Sequence, residues 1–162
     1  MALIGELYPN IQCHCPGDGT DYNAIVVDGG GALPSQVDLD GAVHAYQSSK
    51  MTALITAERN RRTSTGGYKV GTKWFHSDDT SRIQQLALVM MGAGIPTNIM
   101  WKTMDGSFVP MTQTLAGQIF QTAAASDMNF FAAALNKIAA ANALDDPMTY
   151  DYQSGWPLIF GE

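Results

Sequence analysis

The chain has 162 residues, enough for one domain with a real buried core and a small appendage. It is 46% apolar and 15% charged, against about 25% charged in an ordinary soluble domain, which suits a surface covered by partners or by copies of itself. The net charge of −6 is uneven: residues 1–49 hold six carboxylates and no Lys or Arg, all nine basic residues fall between Lys50 and Lys137, and four carboxylates follow from Asp145 onward. No basic cluster exceeds Arg59, Arg61 and Arg62, so no nucleic-acid binding is expected.

The opening MALIGELYPN lacks a positive n-region, and no apolar run approaches the ~20 residues of a spanning helix. Neither a signal peptide nor a membrane span is expected. Residues 1–35 read as an extended, β-containing head or arm. Ala2-Leu3-Ile4 and Leu7-Tyr8 precede Pro9, residues 10–15 suit a short extended piece, and residues 16–19 are dense turn chemistry. Ala24-Ile25-Val26-Val27, ahead of Asp28-Gly29-Gly30-Gly31, is the best strand of the head. With no helix of its own, this head is expected to add strands to a neighbour or to extend as an arm.

Residues 36–162 read as an α+β body. Ser35 is placed to cap a long first helix running to about Arg62, with Asp38 and Asp40 at its start and the three arginines in its last turns, where cations complement the helix dipole. Gly66-Gly67 breaks the chain. Tyr68-Lys69-Val70 and Lys73-Trp74-Phe75 flank Gly71-Thr72 as a hairpin. Ser77 is expected to cap the next helix, whose buried face is read as Ile83, Leu86, Ala87 and Met90, ending at Gly92, Gly94 and Pro96. A second hairpin, residues 98–103 and 107–111, turns at Asp105-Gly106, with Pro110 at a strand end. The last helix covers about residues 112–144, with Leu115, Ile119, Phe120, Phe130, Phe131 and Leu135 in its apolar stripe and a slight bend expected at Ser126-Asp127. An irregular tail follows, in which Trp156 and its aromatic neighbours are expected to anchor on a nearby surface.

Little in this pattern is catalytic. Cys13-His14-Cys15 comes nearest to a metal site, but structural zinc takes four ligands, usually in pairs two to four residues apart, and His44 and His76 lack ligand-like company. The thiols are expected to be free, since a disulfide across one residue is strained. His76-Ser77-Asp78-Asp79 holds relay-type residues, yet sequence neighbours do not stack into a nucleophile–base–orienter array. Asp28-Gly29-Gly30-Gly31 lacks dinucleotide-loop spacing. The chain is therefore expected to be no enzyme and to need no metal or cofactor. Arg59, Arg61, Arg62, Trp74, Phe75, Ser77, Trp101 and Trp156 are the candidate structural and interaction residues.

The G-x-x-x-G-x-x-x-F-x-S-D step (Gly67, Gly71, Phe75, Ser77, Asp78) and the W…DG…V-x-M hairpin (Trp101, Asp105, Gly106, Met111) lead into an Ala-rich helix. This pattern, over residues 38–157, resembles the domain of unknown function 4376 associated with tails and tail fibres of tailed bacteriophages. The resemblance implies a structural component of a phage tail, a fibre or fibre-attachment adaptor made in the host bacterial cytoplasm and carried in the virion. It also implies homo-oligomers, with a trimer favoured, and other tail or fibre proteins as partners. The alternative it leaves open is a tail-fibre assembly chaperone not retained in the virion. The family brings no catalytic residues to transfer.

Overall fold

The computed structural model of the chain describes residues 7–15, 24–29 and 32–162. The strand expected at residues 2–4, the turn at 16–19 and Gly30-Gly31 lie outside them. The described residues form an α+β protein with three helices and three small antiparallel hairpins, one hairpin more than expected in the body because the head pairs with itself. The chain divides into two compact units, Met1–Thr52 with Ala140–Tyr150, and Ala53–Ala139 with Asp151–Glu162.

In the first unit, β1 (Cys13–His14) pairs with β2 (Val26–Val27), Cys13 opposite Val27 and His14 opposite Val26. The strand anticipated over residues 24–27 is thus reduced to its two valines. His14 Nδ1 lies 2.8 Å from Asp28 Oδ1, closing this pair with a polar contact. Helix α1 (Gln36–Thr65) starts as its sequence asks. Ser35 Oγ accepts from the Asp38 N–H at 3.2 Å and donates to the Asp38 carboxylate at 2.6 Å, satisfying an N–H that the helix start leaves open. Leu39 and Met51 are buried, and His44 Nε2 donates to the Leu144 carbonyl at 3.1 Å.

The second unit is built on the hairpins. Strands β3 (Tyr68–Val70) and β4 (Lys73–Phe75) pair with Tyr68 opposite Phe75. Gly71 has φ +60° while Thr72 keeps a negative φ, the signature of a type II′ turn with glycine first. Helix α2 spans Asp79–Met91. Strands β5 (Met100–Lys102) and β6 (Phe108–Pro110) set Trp101 opposite Val109 and place Pro110 at a strand end. Helix α3 (Gln113–Asn142) starts where Thr112 Oγ1 accepts from the Leu115 N–H at 3.1 Å. Tyr68, Phe75, Leu88, Met111, Ala116 and Ile119 form one core cluster, drawing on the first hairpin, α2 and α3.

Three expectations are corrected here. Asp78, not Ser77, caps α2: its carboxylate accepts from the Ser81 N–H at 3.0 Å, while the Ser77 hydroxyl turns inward and accepts from the Gly67 N–H at 2.9 Å. An ionised carboxylate one residue closer to the helix is the better partner for the helix dipole, so it displaces the hydroxyl. The buried face of α2 is Gln85 and Leu88 rather than Ile83, Leu86, Ala87 and Met90; Ile83 is 69% and Met90 81% exposed. The helix is apolar on every side from Leu86 to Met91, so periodicity alone could not choose the face. On α3, Ile119, Phe130 and Ala134 are buried, whereas Phe120, Phe131 and Leu135 stand exposed.

Candidate interaction site

The arginine-rich end of α1 meets the C-terminal tail within the second unit. Arg62 is only 7% exposed. Its Nε donates to Glu58 at 2.7 Å, and its Nη atoms form a fork onto the Glu162 carboxylate at 2.9 and 3.0 Å. It also donates to the Pro157 carbonyl at 3.3 Å. A planar fork matched to a carboxylate is the geometry in which arginine outperforms lysine. Arg61 donates to both oxygens of Glu58. Hydrogen bonds from Arg61 first, and from Arg62 next, hold the Glu58 carboxyl at about 2, against an ordinary 4.5. Arg59 follows a third path, with its guanidinium 4.2 Å from the centre of the Phe131 ring and bonds to the Asn60 side chain.

The tail that Arg62 grips is anchored by Trp156. The indole N–H donates to the Tyr152 carbonyl at 2.7 Å, and the ring lies 6.4 Å from Phe130 in a tilted pair. Arg62 and Lys137 both approach that ring, at 5.8 and 5.2 Å from its centre, and the Lys137 ammonium also donates to the Ser154 carbonyl. Farther on, the Phe160 N–H donates to the Gly66 carbonyl at 2.9 Å, and its ring meets Trp74 edge-on at 6.2 Å. Gly66 is required here: a Cβ would sit 2.5 Å from Ile159 and 2.3 Å from the Arg62 carbonyl oxygen.

Of the candidate residues, the fold gathers Arg61, Arg62 and Trp156 around the tail and brings Trp74 to it through Phe160. Phe75 and Ser77 lie beneath, in the core and at the Gly67 latch. Trp101 packs from the second hairpin against the core cluster. The two hairpins are joined by Lys73, whose ammonium donates to Asp105 at 2.8 Å and to Ser107 Oγ at 2.7 Å. Lys73, with Thr103 and Ser107, holds the Asp105 carboxyl well below the usual range.

Reasoning from sequence missed Arg82. Its guanidinium makes two bonds to Asp127, at 2.7 and 3.0 Å, and donates to the Ser77 and Thr63 carbonyls at 2.7 and 2.8 Å. It also lies 5.3 Å from the centre of the buried Tyr68 ring. Burial of that phenol pushes Tyr68 up to about 12. Asp127 therefore marks a tie between α2 and α3. A readable signal existed: Arg82 and Asp127 are isolated opposite charges in otherwise nearly uncharged helices.

Arg62, Arg82, Lys73 and Ser77 are thus engaged within the second unit, whereas the buried Tyr68 hydroxyl has no hydrogen-bond partner among the described residues. The His76–Asp79 run forms no relay, because Ser77 is buried at the latch, Asp78 caps α2 and the His76 carbonyl accepts from Gln85 Nε2 at 2.8 Å. Among the described residues no group of three or more His, Cys, Asp or Glu converges as metal ligands, and no helix is long and apolar enough to cross a membrane.

Several large apolar side chains also stand outward. A cleft of about 260 Å³ between α2 and α3 is lined by Leu86, Phe120, Ala123 and Ala124 beside the Arg82–Asp127 pair. A neighbouring cleft of about 220 Å³ shares that pair and includes Phe131. No curated protein and no solved structure matches the chain significantly. The family model described as a domain of unknown function (DUF4376) matches residues 46–154, well over half of the chain, and the chain belongs to that family.

Proposed function

We propose that the protein is a structural component of a bacteriophage tail, a fibre or fibre-attachment adaptor that works through contact rather than catalysis. It is made in the host bacterial cytoplasm, carried in the virion tail, and assembles with copies of itself, a trimer being favoured, and with other tail or fibre proteins. The tail context rests on the resemblance carried by Gly67, Gly71, Phe75, Ser77, Asp78 and the Trp101–Met111 hairpin. The observation that carries the mode of action is the inversion of the second unit. Arg62 and Arg82, the residues best suited to bind an anion or steer a reaction, are spent on internal carboxylates and carbonyls, while Ile83, Met90, Phe120 and Leu135 are presented outward. Such a unit offers binding surface and a stiff frame.

Mass spectrometry of purified virions tests the reading. The chain is expected at a fixed stoichiometric ratio to other tail proteins. Its absence from mature particles, with abundance in infected-cell lysate, would overturn the structural role and assign the chain to fibre assembly instead.

A further inference from the structure

We infer that the face formed by α2 and α3 is where one copy of this chain meets another, an inference that rests on the self-assembling structural role proposed above. Ile83, Leu86 and Met90 follow one another on α2 at steps of three and four residues, and Phe120, Phe131 and Leu135 follow on α3 at eleven and four. These steps keep each set on one side of its helix. Leu86 and Phe120 line the same cleft, which joins the two sets, and the Arg82–Asp127 pair lies between that cleft and Phe131.

The area is that of an interface. These six side chains are 46% to 81% exposed. At roughly 200 Å² for a large apolar residue they leave on the order of 700 Å² uncovered. That exceeds the largest patch of a typical monomer, about 300–600 Å², and approaches the about 800 Å² each partner contributes to a standard interface.

Charge selects the occupant. The whole chain carries −6, so two copies repel at long range. Yet α2 and α3 together hold only Asp79, Arg82, Asp127 and Lys137, which sum to zero, Arg82 and Asp127 cancel each other in a bidentate pair, and α1 adds the Arg59 guanidinium over the Phe131 ring. Around a symmetry axis the equivalent patches of the copies converge, so a strongly charged patch would oppose its own images, and a nearly neutral apolar one does so little. A lipid surface is the poorer fit, because interfacial helices carry a cationic polar face and these two are nearly free of lysine and arginine.

The test compares the full chain with an Ile83→Glu/Leu135→Glu double variant by light scattering and sedimentation over a wide concentration range. Both positions are exposed, so the fold is preserved, which circular dichroism checks. The full chain is expected to self-associate, and the double variant to do so at least ~100-fold more weakly. Phe108→Glu, on the exposed side of β6, serves as the control and leaves the association unchanged. A full chain that stays monomeric overturns this inference together with the homo-oligomeric part of the proposed role. An oligomer that survives the double substitution overturns the α2–α3 interface alone. A monomeric chain captured by neutral or anionic vesicles through this face replaces the second copy with a membrane, and so overturns the inference as well.

Discussion

The arginine-rich end of α1 and the α2–α3 face are opposites in the same unit. At the first, a guanidinium is almost fully buried and every cationic group has an internal use. At the second, phenylalanine, isoleucine, leucine and methionine stand in the open. Burying Arg62 is tolerable because two carboxylates and a carbonyl replace its hydration. Leaving Leu135 and Ile83 outside costs little in an isolated chain, since they forgo a gain without leaving a polar group unsatisfied. Polar groups report what holds the unit together, and the outward apolar groups carry the contact between copies proposed above.

The sharpest way to break the contrast is Arg62→Ala. It leaves Glu58 and Glu162 facing each other's region without their shared cation and frees the Trp156 segment. A loss of about 3 kcal/mol is expected. Thermal unfolding should then begin roughly 5–10 °C lower. Arg61→Ala, at the exposed neighbour of the same carboxylate, should cost no more than about 1 kcal/mol. Equal effects at the two positions would show that the tail clamp is ordinary surface pairing.

Next in size is Ser77→Ala. It strands the buried Gly67 N–H, for an expected loss of about 1–3 kcal/mol, measured by urea unfolding. If Ser77 were the helix cap instead, Ser77→Asp would restore stability. Because the pocket at Gly67 is buried and Asp78 already caps α2, Ser77→Asp is expected to be worse than the alanine.

Acid gives a smaller effect. Glu58 is held at about 2 in the folded chain, against an ordinary 4.5. A depressed carboxyl contributes stability that is complete above 4.5 and is lost as pH falls through about 2, because the unfolded chain takes up the proton first. Melting temperature should decline over that window, and Glu58→Gln should flatten the slope. Solvent near the pair and salt both lessen the change, so added salt is expected to shrink it.

Smallest of all is the intrinsic effect of the outward face. Measured at dilutions where the chain is monomeric, Ile83→Glu/Leu135→Glu should alter stability by about 0.5 kcal/mol or less per site, by thermal unfolding. A large loss there would mean the face belongs to the core of a single chain.

Much of the architecture was written locally. Ser35 with Asp38, Gly71-Thr72, Asp105-Gly106 and Pro110 each specify a start, a turn or an end through interactions a few residues apart, and each is found in that role. The site was far less legible. Arg62 was visible as a helix-end cation, but its partner Glu162 is a hundred residues away, and nothing local ties them. The Arg82–Asp127 pair spans 45 residues, and Trp156 is held by Arg62, Phe130 and Lys137 from two different helices.

The sequence by itself determined the α+β class, the starts of α1 and α3, the hairpin turns and the family pattern, because caps and turns are decided by neighbours within a few bonds. Only the tertiary structure decided which side of α2 and α3 is buried. Both helices carry apolar side chains on more than one side, so hydrophobic burial, which has no direction of its own, left several faces close in energy. Directional groups broke the tie: Gln85 reaching the His76 carbonyl and Arg82 forking onto Asp127 turned Leu88 and Ile119 inward, and Ile83, Phe131 and Leu135 outward.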